Sequence, residues 1–368
     1  MTVDSVKINN FRNITDLTLS ADEGVNVIYG ENAQGKTNIL ESIWLFTGCK
    51  SFRGAKDAEF LKFGEDFAKI NLKFKDNSRE KQSEIIFSEK KKNVSLNGIQ
   101  LRSSAELIGS FYAVIFSPVH LSLIKDGPGA RRKFLDTALC QLKPKYAEYL
   151  ASYKKVLMHR NALLKDLYMS PQLYDVLDSF DDQLARYASA VIVERLKYID
   201  ILSEYSMDIY SGISENKENI SVFYSKSKEI DKNCSPKDIY IQELEKIKEA
   251  RKEDVIYKTT SVGPHRDDIE ILINNVSARS FGSQGQQRSC ALALKLGESE
   301  IIKKVTGETP VALLDDVMSE LDEKRQDYVL NHITDRQVFL TCCDPSQVLR
   351  LCKGKSFFLN GKKILQYS

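Results

Sequence analysis

The sequence predicts an α/β protein whose core is assembled from both ends of the chain, with a helical lobe inserted between them. Three observations support this prediction. Residues 1 to about 125 contain short apolar runs typical of strands. Residues 127 to about 250 are rich in Leu, Tyr, Lys and Glu at helical spacing, and the segment after residue 305 repeats a strand, helix, strand order.

The first segment is predicted to be mainly strands. Apolar alternation indicates strands at residues 3–8, 17–20, 25–29, 68–74 and 84–87. Residues 94–99 contain the dipeptide Asn97-Gly98 between apolar positions, which predicts a tight hairpin turn. An amphipathic stretch at 38–46 follows the third strand and carries apolar residues on two faces of a helix. We therefore expect that helix to pack against a sheet and to be covered on its outer side.

The middle and last segments are predicted from the same periodicities. Helical spacing is interrupted near Pro171, Gly212 and Pro236. Later elements are predicted, in order, as strands at 255–260 and 269–273, a helix at 286–304, a strand at 311–314, a helix at 321–330, and strands at 338–341, 356–359 and 364–367. We accordingly expect one lobe from residues 1–125 and 305–368 and a second, helical lobe from residues 126–304.

Composition excludes several classes of protein. The 368 residues include 53 Lys and Arg against 51 Asp and Glu, a net charge of +2, and 42% are hydrophobic, which fits a folded protein rather than a bulk polycation or a disordered chain. The seven cysteines form no Cys-x-x-Cys pair, and no metal-ligand spacing appears. No leader-like start or apolar run of about 18 residues occurs. We expect a cytoplasmic protein without a membrane partner.

A phosphate-binding loop is predicted between the third strand and the following helix. The pattern G-x-x-x-x-G-K-[ST] is matched in full by Gly30, Glu31, Asn32, Ala33, Gln34, Gly35, Lys36 and Thr37. Glycines let successive backbone N–H groups surround phosphate oxygens, and the helix start adds its positive dipole end. Lys36 is expected to bridge the β- and γ-phosphates, Thr37 to ligate Mg²⁺, and Asn32 to reach the γ-phosphate.

Two carboxylates are predicted to complete this site. Asp315 and Asp316 end the apolar strand predicted at 311–314. We expect Asp315 on the Mg²⁺ side, through water, and Asp316 as the residue that orients or deprotonates the attacking water. A buried strand that ends in a polar turn is the alternative interpretation of this pair taken alone.

A second anion site is indicated further along the chain. Ser283 and Gly285 belong to a small turn that opens the helix at 286–304, and a helix N-terminus of this composition attracts anions. Ser319 and Asp322 follow the paired carboxylates, and their simplest interpretation is a helix N-cap with an acidic first turn.

The order of these motifs resembles the ABC-type ATPase heads of DNA-repair and chromosome-maintenance proteins. Within that group, the whole chain is similar to the RecF family of bacterial recombination proteins. The blocks that carry the resemblance lie at residues 10–13, 30–38, 126–136, 260–268, 281–289 and 313–322. The blocks occur in the family's order, and the resemblance covers essentially all 368 residues.

The resemblance implies an ABC-type ATPase head that uses ATP and Mg²⁺ and forms an ATP-dependent, head-to-tail homodimer. Lys36 and Asp316 would then be catalytic, and Arg12 would lie near the phosphates. The partner's γ-phosphate would face Ser283, Gly285 and Gln286, with Ser319 and Asp322 in a loop at the dimer contact. Family members bind DNA at single-strand gaps and, with RecO and RecR, help load RecA, in replication, repair and the SOS response.

Two departures from the wider ABC pattern predict slow hydrolysis. Asp316 stands where most members have a glutamate, and Thr341 and Cys342 stand where a switch histidine is usual. A shorter carboxylate and a missing histidine favour a timing switch over rapid turnover, and we expect a slow, DNA-stimulated ATPase. His120 is a candidate for the missing lateral glutamine contact, and a structural role in its loop is the alternative.

A basic segment is the candidate DNA-binding region. Residues 130–160 contain eight basic and two acidic residues, a local net charge of +6. The candidate phosphate contacts are Arg131, Arg132, Lys133, Lys154 and Lys155. Lys50, Arg53 and Lys56 form a smaller candidate patch. No base-reading motif accompanies either patch, which predicts weak sequence preference. A solvated charged face, or pairing with distant carboxylates, is the alternative.

Other functions fit the sequence less well. A transporter nucleotide-binding subunit is disfavoured because Thr37 and Ser283 are 246 positions apart in sequence. Long-armed chromosome-maintenance heads need sustained heptads, which the uneven helical segment does not supply. No Asn-Lys-x-Asp segment is present for a GTPase. The sequence of residues 263–268 predicts a turn that leads into a strand, and it indicates no functional role for this block.

Overall fold

A computed structural model describes residues 1–89, 91–167, 169–228, 230, 234–345, 354–360 and 363–367. The strands are, in chain order, β1 (Thr2–Phe11), β2 (Ile14–Ser20), β3 (Val25–Tyr29), β4 (Phe67–Lys75), β5 (Glu80–Ser88), β6 (Lys92–Leu96), β7 (Ile99–Leu101), β8 (Ala113–Phe116), β9 (Ile220–Tyr224), β10 (Ile269–Ile273), β11 (Val276–Ser277), β12 (Val311–Asp315), β13 (Val338–Cys342), β14 (Gly354–Asn360) and β15 (Lys363–Tyr367). The helices are α1 (Lys36–Trp44), α2 (Pro118–Leu121), α3 (Pro128–Leu142), α4 (Pro144–Asp166), α5 (Leu177–Ile213), α6 (Pro236–Tyr257), α7 (Ala278–Phe281), α8 (Gln284–Thr306) and α9 (Glu323–His332).

The central sheet takes strands from both ends of the chain, which confirms the predicted α/β core. Its order is β15-β14-β3-β13-β12-β8. β15 pairs antiparallel with β14, and every other neighbouring pair is parallel. The carboxyl ends of β3, β12 and β13 therefore lie at one edge of the sheet, where ligands bind in open α/β folds.

Alternate residues of this sheet separate two hydrophobic cores. Leu314 and Leu340 belong to a core shared with the long helices, whereas Leu313 and Phe339 belong to a core shared with α1 and the N-terminal strands. This follows from the period of two along a strand, because neighbouring side chains point to opposite faces. Burial on both faces explains why these strands read as continuous apolar runs.

A second sheet, of order β2-β1-β4-β5-β6-β7, is antiparallel and covers the outer side of α1's core. The predicted turn between β6 and β7 is confirmed. Asn97 and Gly98 both have positive φ, 51° and 79°, as a two-residue hairpin of this type requires.

The helical segment differs from its prediction in two places. Residues 255–260, predicted as a strand, are the end of α6 and a following turn. Ser235 and Asp238 form a capping box that starts this helix, and it continues to Tyr257, where Ile256 and Tyr257 are exposed. The strand predicted at residues 255–260 from apolar alternation is therefore wrong. The second difference is β9, which was not predicted and pairs with β10 in a three-stranded sheet with β11.

Candidate nucleotide-binding site

The loop between β3 and α1 has the backbone shape that its glycines allow. Gly30 and Gly35 have φ of 152° and 106°. A Cβ at Gly30 would lie 2.5 Å from the carbonyl oxygen of Leu359, and one at Gly35 would lie 2.8 Å from Oδ1 of Asn13. Both positions therefore need glycine for conformation and for space.

Lys36 is buried at the first position of α1, and its ammonium group points back to the loop. Its Nζ donates to the carbonyl oxygens of Gly30, at 2.7 Å, and Glu31, at 3.1 Å. The Sγ of Cys343 lies 3.6 Å from the same nitrogen. All of these contacts are with uncharged groups, so the positive charge has no carboxylate partner among them. A lysine held in this way is suited to a phosphate.

Thr37 and Asp315 are brought together across the sheet edge. The Thr37 hydroxyl donates to Oδ1 of Asp315 at 2.7 Å, and the Thr341 hydroxyl lies 3.0 Å from the same oxygen. Burial raises the pKa of the Asp315 carboxyl, while the bonds from both hydroxyls act in the opposite direction. Three oxygen-bearing side chains from α1, β12 and β13 thus converge at one point.

Asp316 follows at the carboxyl end of β12 in a left-handed conformation, with φ of 48°. Its N–H donates to the Thr341 hydroxyl at 2.9 Å, and its carbonyl oxygen accepts from Ser319 at 2.8 Å. These bonds fix the turn that carries the carboxylate. Asp322 caps α9 by accepting from the N–H of Arg325 at 3.0 Å, as its sequence position predicts.

Arg12 lies beside α1 and is paired. Its Nε is 2.7 Å from Oε2 of Glu41, a fully buried carboxylate, and its guanidinium stacks over Phe60 at 5.3 Å. The neighbouring Asn13 makes the contact with the loop: its Nδ2 donates to the carbonyl oxygen of Ala33 at 2.9 Å. Sequence reasoning did not assign this role to Asn13, although it belongs to the same motif.

Cys343 is a second residue that sequence reasoning missed. The switch position was expected at Thr341 and Cys342, but the Cys343 thiol is the group that reaches the loop, 3.1 Å from Oδ1 of Asn32. The position of Cys343 follows from the parallel pairing of β13 with β3. This pairing aligns Cys342 with Tyr29 and brings the next residue, Cys343, beside the loop.

The predicted second anion site lies at the start of α8. Ser283 is the N-cap, and its hydroxyl accepts from the N–H of Gln286 at 3.2 Å, while the Gln286 side chain accepts from the N–H of Ser283 at 2.8 Å. The Gln286 amide also donates to Glu218 at 2.6 Å. A Cβ at Gly285 would lie 3.0 Å from the end of the Arg325 side chain. These contacts connect the exposed helix start to α9 and to the segment before β9, not to residues 30–37.

The basic segment contains two kinds of residue. Arg131 is buried, and its guanidinium binds both oxygens of Asp268, at 2.7 and 2.8 Å, and three carbonyl oxygens. This corrects the expectation that Arg131 contacts DNA, since it has no exposed donor face. Lys154 and Lys155 are exposed on α4. Arg132 and Lys133 each donate to one carbonyl oxygen, of Asp267 and Phe52.

The block at 263–268 has a structural role. Asp268 holds Arg131, and the Pro264 carbonyl oxygen accepts from Arg195 at 2.7 Å. His265 bonds to the Tyr153 hydroxyl at 2.6 Å and to the Thr260 carbonyl oxygen at 3.0 Å. The block therefore connects α3, α4 and α5 to the strand β10 that follows it.

The sheet order, the loop at 30–37 and the converging Thr37, Asp315 and Thr341 define an ABC-type ATPase head. The family model described as the RecF/RecN/SMC N terminal domain matches residues 2–358. A solved Smc head domain of Pyrococcus furiosus, with an extended coiled coil, superposes with a TM-score of 0.56 at 13% identity, covering 100% of this chain and 96% of that one. That likeness supports the fold class.

Similarity to named proteins is much closer. The DNA replication and repair protein RecF of Lachnospira eligens is 43% identical over 346 residues, 93% of this chain and 92% of the relative. RecF of Clostridium acetobutylicum is 40% identical over 371 residues, 100% of both chains. A solved structure of the recombination mediator protein RecF with ATPrS has a TM-score of 0.93 at 36% identity, covering 100% of this chain and 98% of that one. The chain belongs to the RecF family.

Helices in the described part of the chain lack the combination of length and hydropathy that a membrane span requires.

Proposed function

We propose that this chain is an ATP-dependent DNA-binding protein of recombinational repair that dimerises on binding ATP and hydrolyses it slowly. The observation that carries the proposal is the contact between Thr37 and Asp315, 2.7 Å, beside a lysine held by uncharged acceptors. It brings together two motifs that lie 278 residues apart, and in this proposal they bind phosphate and a metal ion together. Structures of a relative described as bound to ATP and ATPrS support the same ligand.

ATP would lie with its phosphates along Gly30, Glu31, Asn32, Ala33, Gln34, Gly35, Lys36 and Thr37. Mg²⁺ fits the oxygen-rich side of the site, because Thr37 and Asp315 supply the hydroxyl and carboxylate that this ion prefers. When bound, Mg²⁺ would neutralise charge on the β- and γ-phosphates. The Asp316 carboxylate would orient the attacking water from its fixed turn, and Arg12 would support α1 through Glu41.

Dimerisation is part of the proposal, and the position of the exposed start of α8 supports it: the hydrogen bonds of Ser283 and Gln286 do not reach residues 30–37 of the same chain. A second copy, placed head to tail, would bring Ser283, Gly285 and Gln286 to the γ-phosphate, with Ser319 and Asp322 nearby. Residues 1–125 and 305–368 would then bind ATP, and residues 126–304 would complete the partner's site. The name of the relative's pathway, RecFOR, supports RecO and RecR as partners. RecA loading would be the outcome, as the family resemblance implies.

A charge placed at the N-cap of α8 tests the dimer. Ser283→Asp preserves the cap, because Asp caps helices as well as Ser does, but it adds a negative charge that would face the partner's γ-phosphate. We expect the Ser283→Asp variant to bind ATP normally and to stay monomeric, as measured by light scattering, in an Asp316→Asn background that slows hydrolysis.

Lys36→Ala should lower the affinity for ATP about 100-fold, which corresponds to about 2.7 kcal/mol of binding free energy.

Ser235→Asp is the matched control, since Ser235 caps α6 in the same kind of capping box. It should dimerise with ATP as the parent chain does. A Ser283→Asp variant that still forms dimers would overturn the head-to-tail arrangement. It would not contradict the proposed ATP site at residues 30–37.

DNA binding is proposed through the exposed cations Lys154 and Lys155 of α4, with Arg132 and Lys133 of α3 as further phosphate contacts. These residues would contact phosphates, so the logarithm of the binding constant should fall linearly with the logarithm of salt concentration. The double substitution Lys154→Ala and Lys155→Ala should weaken the binding of duplex, gapped and single-stranded DNA to a similar degree. It should also reduce the slope of the salt dependence by about 2. A flat salt response of the parent chain would contradict this assignment.

A further inference from the structure

A cavity of about 550 Å³ lies between the segment that follows α1 and the pair of helices α3 and α4. Its inner wall is apolar and includes Trp44, Phe52 and Ile115 on one side and Phe134 and Leu150 on the other. Each of these side chains is less than a tenth exposed. The volume falls within the range of roughly 300 to 1,000 Å³ typical of small-molecule sites.

The charges that line the cavity are strongly unbalanced. Six cations and two carboxylates belong to its wall, a net charge of +4, whereas the whole chain carries +2. Two histidines also line it, and both are neutral near pH 7, since burial lowers the pKa of His265 to about 4 and that of His120 well below its usual value. The imbalance favours a negatively charged occupant.

Partners inside the protein neutralise the deep cations. Lys295 is paired with Glu298 on the same helix, and both are almost fully buried. Arg195 is paired with Asp136 at 2.7 Å. The deep end of the cavity is therefore apolar or internally neutralised.

The excess charge lies at the mouth. Lys50, Lys133 and Lys154 line the cavity and are exposed. The Lys133 ammonium donates to the Phe52 carbonyl oxygen at 2.9 Å, which occupies one of its three N–H groups. The Lys154 ammonium lies 3.8 Å from Asp136, a loose contact that Arg195 already shares. The exposed cations of the cavity wall are thus ammonium groups, whereas its buried part is apolar or internally neutralised.

We propose that this cavity binds a small amphipathic anion, with an apolar aromatic body between Trp44, Phe52 and Phe134 and one acidic group at Lys133 and Lys154. The site uses no residue of the loop at 30–37. It bridges elements that are otherwise joined there by few polar contacts, such as Lys133 to Phe52 and the Cys49 thiol to the Thr137 carbonyl oxygen at 3.8 Å. A bound anion would fix α3 and α4 against the segment after α1.

A titration with 8-anilinonaphthalene-1-sulfonate, an aromatic sulfonate, tests the proposal on the full chain without DNA. We expect one saturable dye per chain. Lys154→Glu should weaken dye binding about tenfold, and Ala151→Trp, which fills the mouth from α4, should abolish it. Lys145→Glu is the matched control, because Lys145 is exposed on the same helix outside the cavity, and it should change the affinity less than twofold.

Further measurements separate this site from others. The uncharged dye N-phenyl-1-naphthylamine should bind more weakly than the sulfonate and should not respond to Lys154→Glu. Dye binding should persist in Lys36→Ala. Equal losses in Lys154→Glu and Lys145→Glu, more than one dye per chain, or loss of binding in Lys36→Ala would each overturn the proposal. Circular dichroism checks that each variant is folded, and the two lysine variants carry the test if Ala151→Trp is not.

Discussion

Buried charges occur in two regions of this molecule, and they are held in different ways. In the helical region, Arg160 is fully buried and binds Asp181 and Asp254, both at 2.7 Å. At the sheet edge, Lys36 is held by carbonyl oxygens and Asp315 by hydroxyls. Where buried charges neutralise one another, removing one of them leaves the other uncompensated and destabilises the fold. Buried charges held by uncharged groups remain available to a charged ligand. The difference separates structural from functional charges without reference to any motif.

The largest expected effect tests the paired region. Arg160→Met should lower the free energy of unfolding by about 3–5 kcal/mol, because it removes a cation that binds both buried carboxylates, of which Asp181 keeps a contact with Arg251. Urea unfolding monitored by circular dichroism gives the value. Lys155→Met, an exposed change on the same helix, should stay within about 0.5 kcal/mol. A loss below about 1 kcal/mol for Arg160→Met would show that pairing in this region does not support the fold.

The same contrast explains what the sequence could and could not predict. Residues 30–37 form a contiguous pattern with a fixed backbone shape, so their site was predicted, and Asp315 followed from its place at a strand end. Arg131 was misassigned because its partner, Asp268, is 137 residues away in sequence. A count of local charge cannot show such a pair. The contact of Cys343 with the loop depends on the pairing of β13 with β3, which sequence periodicity does not specify.

A second, smaller effect concerns the neutral histidine of the paired region. Burial lowers the pKa of His265 from 6.5 to about 4, and the neighbouring Arg266 and Arg132 act in the same direction. The unfolded chain therefore takes up the proton first, and stability is lost as the pH falls from 6.5 towards 4. Between pH 7 and pH 5 the parent chain should lose about 2 kcal/mol more than His265→Gln. His159→Gln, exposed on α4, is the control and should follow the parent chain.

The smallest effect should have the opposite sign, and it lies at the sheet edge. Burial raises the pKa of Asp315, so the folded chain holds its proton more tightly than the unfolded chain does, and the ionised carboxylate costs stability at neutral pH. Asp315→Asn keeps acceptors for Thr37 and Thr341 but removes the charge. We expect it to raise the free energy of unfolding at pH 7 by up to about 1 kcal/mol while weakening Mg²⁺-dependent ATP binding. The gain should shrink as the pH falls through the titration of the folded carboxyl, because the parent chain is then uncharged there too. A variant destabilised at pH 7 as strongly as Arg160→Met would place Asp315 among the paired, structural charges and remove the distinction between the two regions.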